Sequence, residues 1–243
     1  MLKLLNKAQF TRAFSTYNQI RLVKLNPNCE EDKEFFANLT ATNIAFSALR
    51  HFVPNMEKEV DINNIPAVQE YFMQADKRKY LFDAYRYVSK NNNICEFGYN
   101  KVINEHGKAI GVTGFMPHVI DESGIVKQIE RGNHFTPETR SNDTPSNSPV
   151  IRPRYAAIGM KKALEQLFEN RHKLDLDGEL MSNILADNIR SQNFTLKHKL
   201  NIGEPKIENG IAKWREKIGN FLNRKTDICE ALNSTIRKGE IAK

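Results

Sequence analysis

RPRYAAIGMKKALEQLFENRHKLDLDGELMSNILADNIRSQNFTLKHKL, residues Arg152–Leu200, reads in order as a turn, a helix, a strand and a second helix. Apolar residues at Met160, Ala163, Leu164, Leu167 and Phe168 keep a helical period, which predicts a helix over Ile158–Glu169. Glu179–Ala186 is β-rich, and Asp187-Asn188 supplies a cap for the helix leading to Leu200. The turn carries the chemistry. A helix N-terminus presents unpaired N–H donors and the positive end of its dipole, so it attracts phosphate. Arg152 and Arg154 add charge-assisted contacts to a pyrophosphate. The same residues also describe a plain helix start flanked by two exposed arginines.

Working upstream, Val126–Phe135 is an extended run ending at Thr136-Pro137. Phe97–Ile103 and Lys108–Phe115 flank Asn104-Glu105-His106-Gly107, a hairpin signal. Ile20–Leu25 alternates apolar and basic residues before Asn26-Pro27-Asn28, predicting a first strand and a turn. Asn28 is the expected N-cap of a helix with Glu30, Glu31 and Asp32 in its first turn. Ile65-Pro66 opens a helical region running through Tyr85. Downstream, residues 211–232 fit either one helix face or a hairpin closed by Gly219-Asn220.

Three stretches together resemble the GNAT N-acetyltransferases. Ile129-Glu130-Arg131-Gly132-Asn133-His134-Phe135-Thr136-Pro137-Glu138 resembles the family's fourth-strand segment. Arg152–Ala157 with the helix behind it resembles the pyrophosphate loop, and Asp187–Gln192 resembles the DNxxS segment. The resemblance covers residues 20–232 and is nearest to the ribosomal-protein alanine N-acetyltransferases. It implies an α/β fold with a GNAT-like mixed, mostly antiparallel sheet and helices on both faces. It also implies that Gly203–Leu232 forms the last two strands, which favours the hairpin over the helix there. The chain departs from the pattern at Pro153 and Arg154, where glycines stand in the family, and at Thr195, Lys199 and Leu200, where the pattern has tyrosine, glycine and an aromatic residue.

The resemblance implies transfer of an acetyl group from acetyl-CoA, as cosubstrate, to an amine, with a protein N-terminus or a lysine as acceptor. An amine with a pKa of about 8 to 10 is protonated near neutral pH and must lose a proton before it attacks. Glu130 is the expected base, its structural alternative being an ion pair with Lys127 or Arg131. A backbone N–H near Phe135 or Thr136 is expected to meet the oxyanion and the pantetheine arm. Arg152, Arg154, Tyr155, Ala156 and Ala157 are the expected phosphate contacts. Asn188 and Ser191 are expected at the pantetheine, with Asn188 also readable as a helix cap and Ser191 as the acid that protonates the thiolate. His134 shares a strand face with Glu130 by alternation and reads either as an acid or base or as a packed histidine.

Composition bounds the rest. In 243 residues with 27% charged and 40% hydrophobic side chains, no apolar run approaches the ~18 residues of a membrane span. Cys29, Cys95 and Cys229 form no CxxC pair, so neither a metal site nor a disulfide framework is indicated, and a cytoplasmic, reducing compartment is expected. A cysteine nucleophile stays open at this stage. The net charge of +7 concentrates at the ends: five basic and no acidic residues precede Glu30, and eleven basic face six acidic residues from Thr195 onward. The expected organisation is a basic arm over 1–19, the GNAT-like domain over 20–232 with a polar loop at 139–150, and a basic tail over 233–243. Residues 1–14 also resemble a mitochondrial transit segment around Arg12-Ala13-Phe14-Ser15, which would place the chain in the matrix. The alternative function is an inactive GNAT-like module whose basic ends dock on an acidic partner. No motif for reading nucleic acid is present.

Overall fold

Six strand junctions join seven strands in the order β1-β2-β3-β4-β5-β7-β6, and only the β4–β5 junction is parallel. The strands are β1 Arg21–Lys24, β2 Tyr99–Ile103, β3 Ala109–Ile120, β4 Val126–Phe135, β5 Leu174–Leu185, β6 Lys206–Glu208 and β7 Ile211–Lys217. The computed structural model describes residues 17–92, 96–136, 139 and 154–241. Most of the expected polar loop, most of the N-terminal arm, and Arg152, Pro153, Pro137 and Glu138 lie outside the described residues. The sheet is the mixed, mostly antiparallel one expected. Among the described residues, no helix is long and apolar enough to cross a membrane.

Helices cover both faces. On one side, α5 (Tyr155–Glu169) and α8 (Lys225–Ile241) pack Ile158, Ala163, Leu164, Leu167, Ile228 and Leu232 against Val126, Ile129 and Leu180. On the other, α1 (Glu30–Thr42) and α4 (Ala75–Asn92) bring Leu39, Tyr85 and Val88 onto Tyr99, Val112 and Met116. Between α1 and α4 lie two 3₁₀ turns, Ile44–Phe46 and Ala48–Phe52, and the helices α2 (Met56–Glu59) and α3 (Ile65–Met73). This insertion has its own core of Ala37, Ala41, Ile44, Val53, Met56, Val68, Tyr71, Phe72 and Leu81. It docks on the far end of β5, where Arg50 pairs with Asp187 at 2.7 Å.

Several local expectations change. The first helix is capped at Cys29 rather than Asn28, with no side-chain bond. The region expected as one helix from Ile65 to Tyr85 breaks at Gln74, whose extended backbone separates α3 from α4. Residues 211–232 are neither of the two forms expected. β7 ends at Lys217, and Gly219-Asn220 lies inside the short helix α7, Ile218–Asn223. The hairpin turn is Asn209-Gly210, whose φ values of 50° and 72° suit a tight two-residue connection between β6 and β7. The basic tail expected from residue 233 continues α8, and Ile236 is buried with Ile228 and Leu232, one helical turn apart each time.

The helix after β5 is α6, Ile189–Lys197. Lys199, just beyond it, has φ 55°, the left-handed conformation that glycine takes at least cost. That conformation explains why the related pattern has glycine at this position. Lys199→Gly is expected to raise unfolding stability by ~1 kcal/mol, because the strain of a side chain there outweighs the entropy glycine adds to the unfolded chain. Its exposed pair with Asp227 offsets little of this. Urea denaturation checks it: an unchanged midpoint would contradict the strain.

Candidate active site

β4 and β5 are hydrogen-bonded partners only as far as Glu130↔Met181. Beyond that point β4 continues to Phe135 paired with β3 alone, and β5 continues to Leu185 paired with β7 alone. The two strands therefore part into a gap with Glu130 at its apex. A sheet interior leaves no such edge without reason, because each strand carries N–H and C=O groups that need partners.

Ladder alternation says which groups face the gap. The Thr136 N–H donates to the Ile110 carbonyl at 3.0 Å, so it points to β3. Residues 130, 132 and 134 share that direction, and the main-chain groups of Asn133 and Phe135 point toward β5. Of the two expected oxyanion donors, Phe135 directs its main-chain groups toward β5. The Thr136 N–H is spent in the sheet.

Single polar side-chain atoms left without partners gather at the same place. Among the described residues, six buried side-chain polar atoms have no hydrogen bond, and Arg131 Nε, Asn133 Oδ1 and Asn183 Oδ1 are three of them. An unpaired buried polar atom costs on the order of 1–3 kcal/mol, so these three mark where a polar ligand or water is needed. Asn133 shares the face of Arg131 and Phe135, while Asn183 reaches the face of Glu130, so both sides of the gap carry an unsatisfied acceptor. A cavity of about 240 Å³ lies along β5 and β7, lined by Met181, Ser182, Asn201, Ile202, Trp214 and Glu216 among others, with no β4 residue in its lining.

Glu130 is half-buried and held at both oxygens. His118 Nε2 lies 2.8 Å from Oε2, and Asn183 Nδ2 donates to Oε1 at 2.8 Å. The alternative expected from sequence, an ion pair with Lys127 or Arg131, is absent among the described residues. Lys127 pairs with Asp175 and Asp121. Arg131 is buried on the opposite face, where it donates to Ser182 Oγ at 2.6 Å and Asn201 Oδ1 at 2.9 Å, tying β4 to β5 just behind the apex. Burial lowers its guanidinium to about 10. His134 is exposed on the Glu130 face.

Gly132 follows on the same face as Glu130. A Cβ there would fall 2.2 Å from the Tyr99 hydroxyl oxygen, so the absence of a side chain admits the buried Tyr99 ring beside the carboxylate. Burial first, and then the charge of Glu130, raise the Tyr99 phenol well above its ordinary value.

The remaining expected residues divide. Arg154 is the N-cap residue of α5, and its guanidinium, which only donates, makes no cap bond to the helix N–H groups. Its carbonyl accepts from the Ala157 and Ile158 N–H groups, so the Ala157 N–H is committed within the helix. Tyr155 is buried, its hydroxyl donates to Glu105 on the β2–β3 turn, and its main chain opens the first turn of α5. Arg152 lies outside the described residues. Asn188 is the N-cap of α6, its side-chain oxygen accepting from the Ser191 N–H at 3.1 Å and its amide donating to the Phe46 carbonyl. The expected cap is therefore present at Asn188. Gln192 completes the motif by donating to the Leu185 and Ala186 carbonyls, fixing the angle between β5 and α6. Ser191 sits in the first turn of α6, which begins past the end of β5, ~13 Å of extended chain beyond Met181. Thr195 is buried and bonded to Gln192 and Asn201.

Neither described cysteine suits a nucleophile. The Cys29 thiol is raised by its hydrogen bond to Glu31, and the Cys229 thiol by burial. The residues sequence reading missed are His118, Asn183, Tyr87 and Asn133. All but Asn133 lie on other elements, and no local pattern links them to Glu130.

No family model matches the chain, and no curated protein matches it. Solved structures of similar outline include the PaiA N-acetyltransferase from Thermoplasma acidophilum in complex with coenzyme A, at 10% identity and TM-score 0.47 over 82% of this chain and 98% of that one. Mutant forms of the spermidine/spermine N-acetyltransferase SpeG from Vibrio cholerae align at 12% identity and TM-score 0.45, over 85% of this chain and 98% of theirs. Identities and TM-scores this low assign neither family nor activity. The functional reading therefore rests on the gap itself.

Proposed function

We propose that the chain is a GNAT-type N-acetyltransferase that moves an acetyl group from acetyl-CoA to an amine, with Glu130 as the base. The observation that carries this reading is the parting of β4 and β5 beyond Glu130↔Met181, with unsatisfied polar atoms on both sides. Such a gap suits an extended chain that carries amides. The pantetheine arm has amide N–H and C=O groups at strand-like spacing, so it can pair with the edge at Asn133 and Phe135 as a short added strand. Asn133 Oδ1 and Asn183 Oδ1 need donors, which amides supply. At the other end, Arg154 and the start of α5 offer charge and main-chain dipole to the pyrophosphate.

Bound acetyl-CoA supplies the thioester that the amine attacks. Glu130 takes the proton from the incoming amine. The Phe135 N–H, on the edge facing β5, is the candidate donor to the developing oxyanion. Ser191 is the candidate acid for the departing thiolate only if the arm reaches the first turn of α6. A protein N-terminus or a lysine side chain is the acceptor we infer first, in line with the sequence resemblance. The test is release of free coenzyme A thiol from acetyl-CoA on addition of peptides with free N-termini, lysine peptides or polyamines. Amine-dependent release supports the reading. Acetyl-CoA that binds but yields no thiol with any amine would favour the docking-module alternative.

A further inference from the structure

Glu130 does not hold its orientation alone. β3 departs from regular pairing between Pro117 and Val119, leaving His118 as the extra residue opposite β4. Pro117 lacks an N–H for the ladder, and a bulge of this kind redirects the side chain beside it. The His118 ring consequently meets Glu130 Oε2 through Nε2 at 2.8 Å. Its other nitrogen, Nδ1, lies 2.7 Å from the hydroxyl of Tyr87 on α4, with the two rings tilted at 5.8 Å between centroids. Side-chain exposure falls inward, from Tyr87 at the surface to His118 and Glu130 at 17% and 19%.

Donor and acceptor chemistry fixes the direction of these bonds. An ionised carboxylate only accepts, so Nε2 must carry the hydrogen. In a neutral imidazole the other nitrogen is then an acceptor, and Tyr87 must donate its O–H to it. The phenol thus selects the tautomer that the carboxylate needs. With Asn183 on Oε1, each oxygen of Glu130 has one lone pair engaged, and the remaining pairs define where a proton can be received.

We propose that Tyr87 and His118 are a positioning pair for Glu130, in which the Tyr87 hydroxyl locks the His118 tautomer and His118 holds the carboxylate in the orientation that accepts a proton. This rests on the reading of Glu130 as the base. Neither residue touches the reacting atoms. Without the phenol, Nδ1 loses its donor, the ring is held at one nitrogen only, and Glu130 loses its fixed orientation toward the gap.

The experiment combines kinetics with ¹⁵N NMR of the full chain. His118→Ala should lower kcat by ~10²-fold, the scale of a small misplacement at a reacting centre, with KM for acetyl-CoA unchanged. His118→Gln, which restores an N–H donor, should recover part of the loss, and added imidazole should partly rescue His118→Ala. Tyr87→Phe should lower kcat about tenfold or less and shift the His118 nitrogens away from the pure Nε2–H pattern. Wild-type kcat in both His118→Ala and Tyr87→Phe would overturn the proposal, as would an Nδ1–H tautomer in the wild type. If the wild type releases no thiol, the base reading fails separately, and the NMR pattern alone decides whether the pair holds its tautomer.

Discussion

Glu130→Gln lowers turnover by ~10²-fold or more while acetyl-CoA affinity stays at the wild-type value. Glutamine matches glutamate in shape but cannot take a proton. It can also accept from only one of its present partners, His118 and Asn183, because its second polar atom becomes a donor. The loss therefore combines a missing base with a disturbed orientation, and it falls on kcat rather than on cofactor binding. A further signature follows from the amine. Above the acceptor's own pKa, roughly 8 for an α-amine and 10 for a lysine, the amine arrives deprotonated and needs no base before it attacks. The deficit of Glu130→Gln should narrow as pH rises through that value. Thiol release measured from neutral to alkaline pH reads both effects, and a variant as fast as wild type at neutral pH removes Glu130 as the base.

Gly132→Ala carries the largest structural effect expected near the site. The added methyl would lie 2.2 Å from the Tyr99 hydroxyl oxygen and 2.4 Å from the ring carbon bearing it. Tyr99 is buried on the face shared with Leu39, Tyr85, Val112 and Met116, so its ring has no empty space to enter. Overpacking of this kind costs ~1–3 kcal/mol, and the displaced ring moves beside Glu130, so turnover falls too. Tyr99→Ala alone leaves a cavity and costs ~3–5 kcal/mol. In the double variant the methyl enters space the ring has left, so the combined cost should fall short of the sum by ~1 kcal/mol or more. Strictly additive costs in chemical denaturation would show that Gly132 is not there to admit Tyr99.

The sheet was legible because its strands announce themselves locally. Val126–Phe135 was read to the residue, since its turn residues bound it on both sides. The α5 helix begins three positions before the expected Ile158 because Tyr155 and Ala157 pack into the core, a tertiary fact. Residues 211–232 misled because Ile211, Trp214, Ile218, Phe221 and Leu222 keep a helical spacing while Gly219-Asn220 signals a turn, and only the burial of Ile218, Phe221, Ile228 and Leu232 with α5 decides between them. Of the site, Glu130 was legible through its setting on β4. Its partners were not, being separated by 12 residues from His118 and 53 from Asn183, with Tyr87 a further 31 from His118. Phe135 and Thr136 could not be told apart because which edge a main-chain N–H faces depends on register, and one residue reverses it. The DNIRSQ run was legible as the start of a helix, where Asn188 and Gln192 serve the geometry of α6.

The central claim is that the gap between β4 and β5 receives acetyl-CoA. Calorimetric titration of the full chain with acetyl-CoA tests it most directly. Saturable binding near one equivalent is expected, weakened by a bulky side chain at Asn133, as in Asn133→Trp, in a variant that keeps its fold. No heat at millimolar acetyl-CoA, or wild-type affinity in Asn133→Trp, would contradict it.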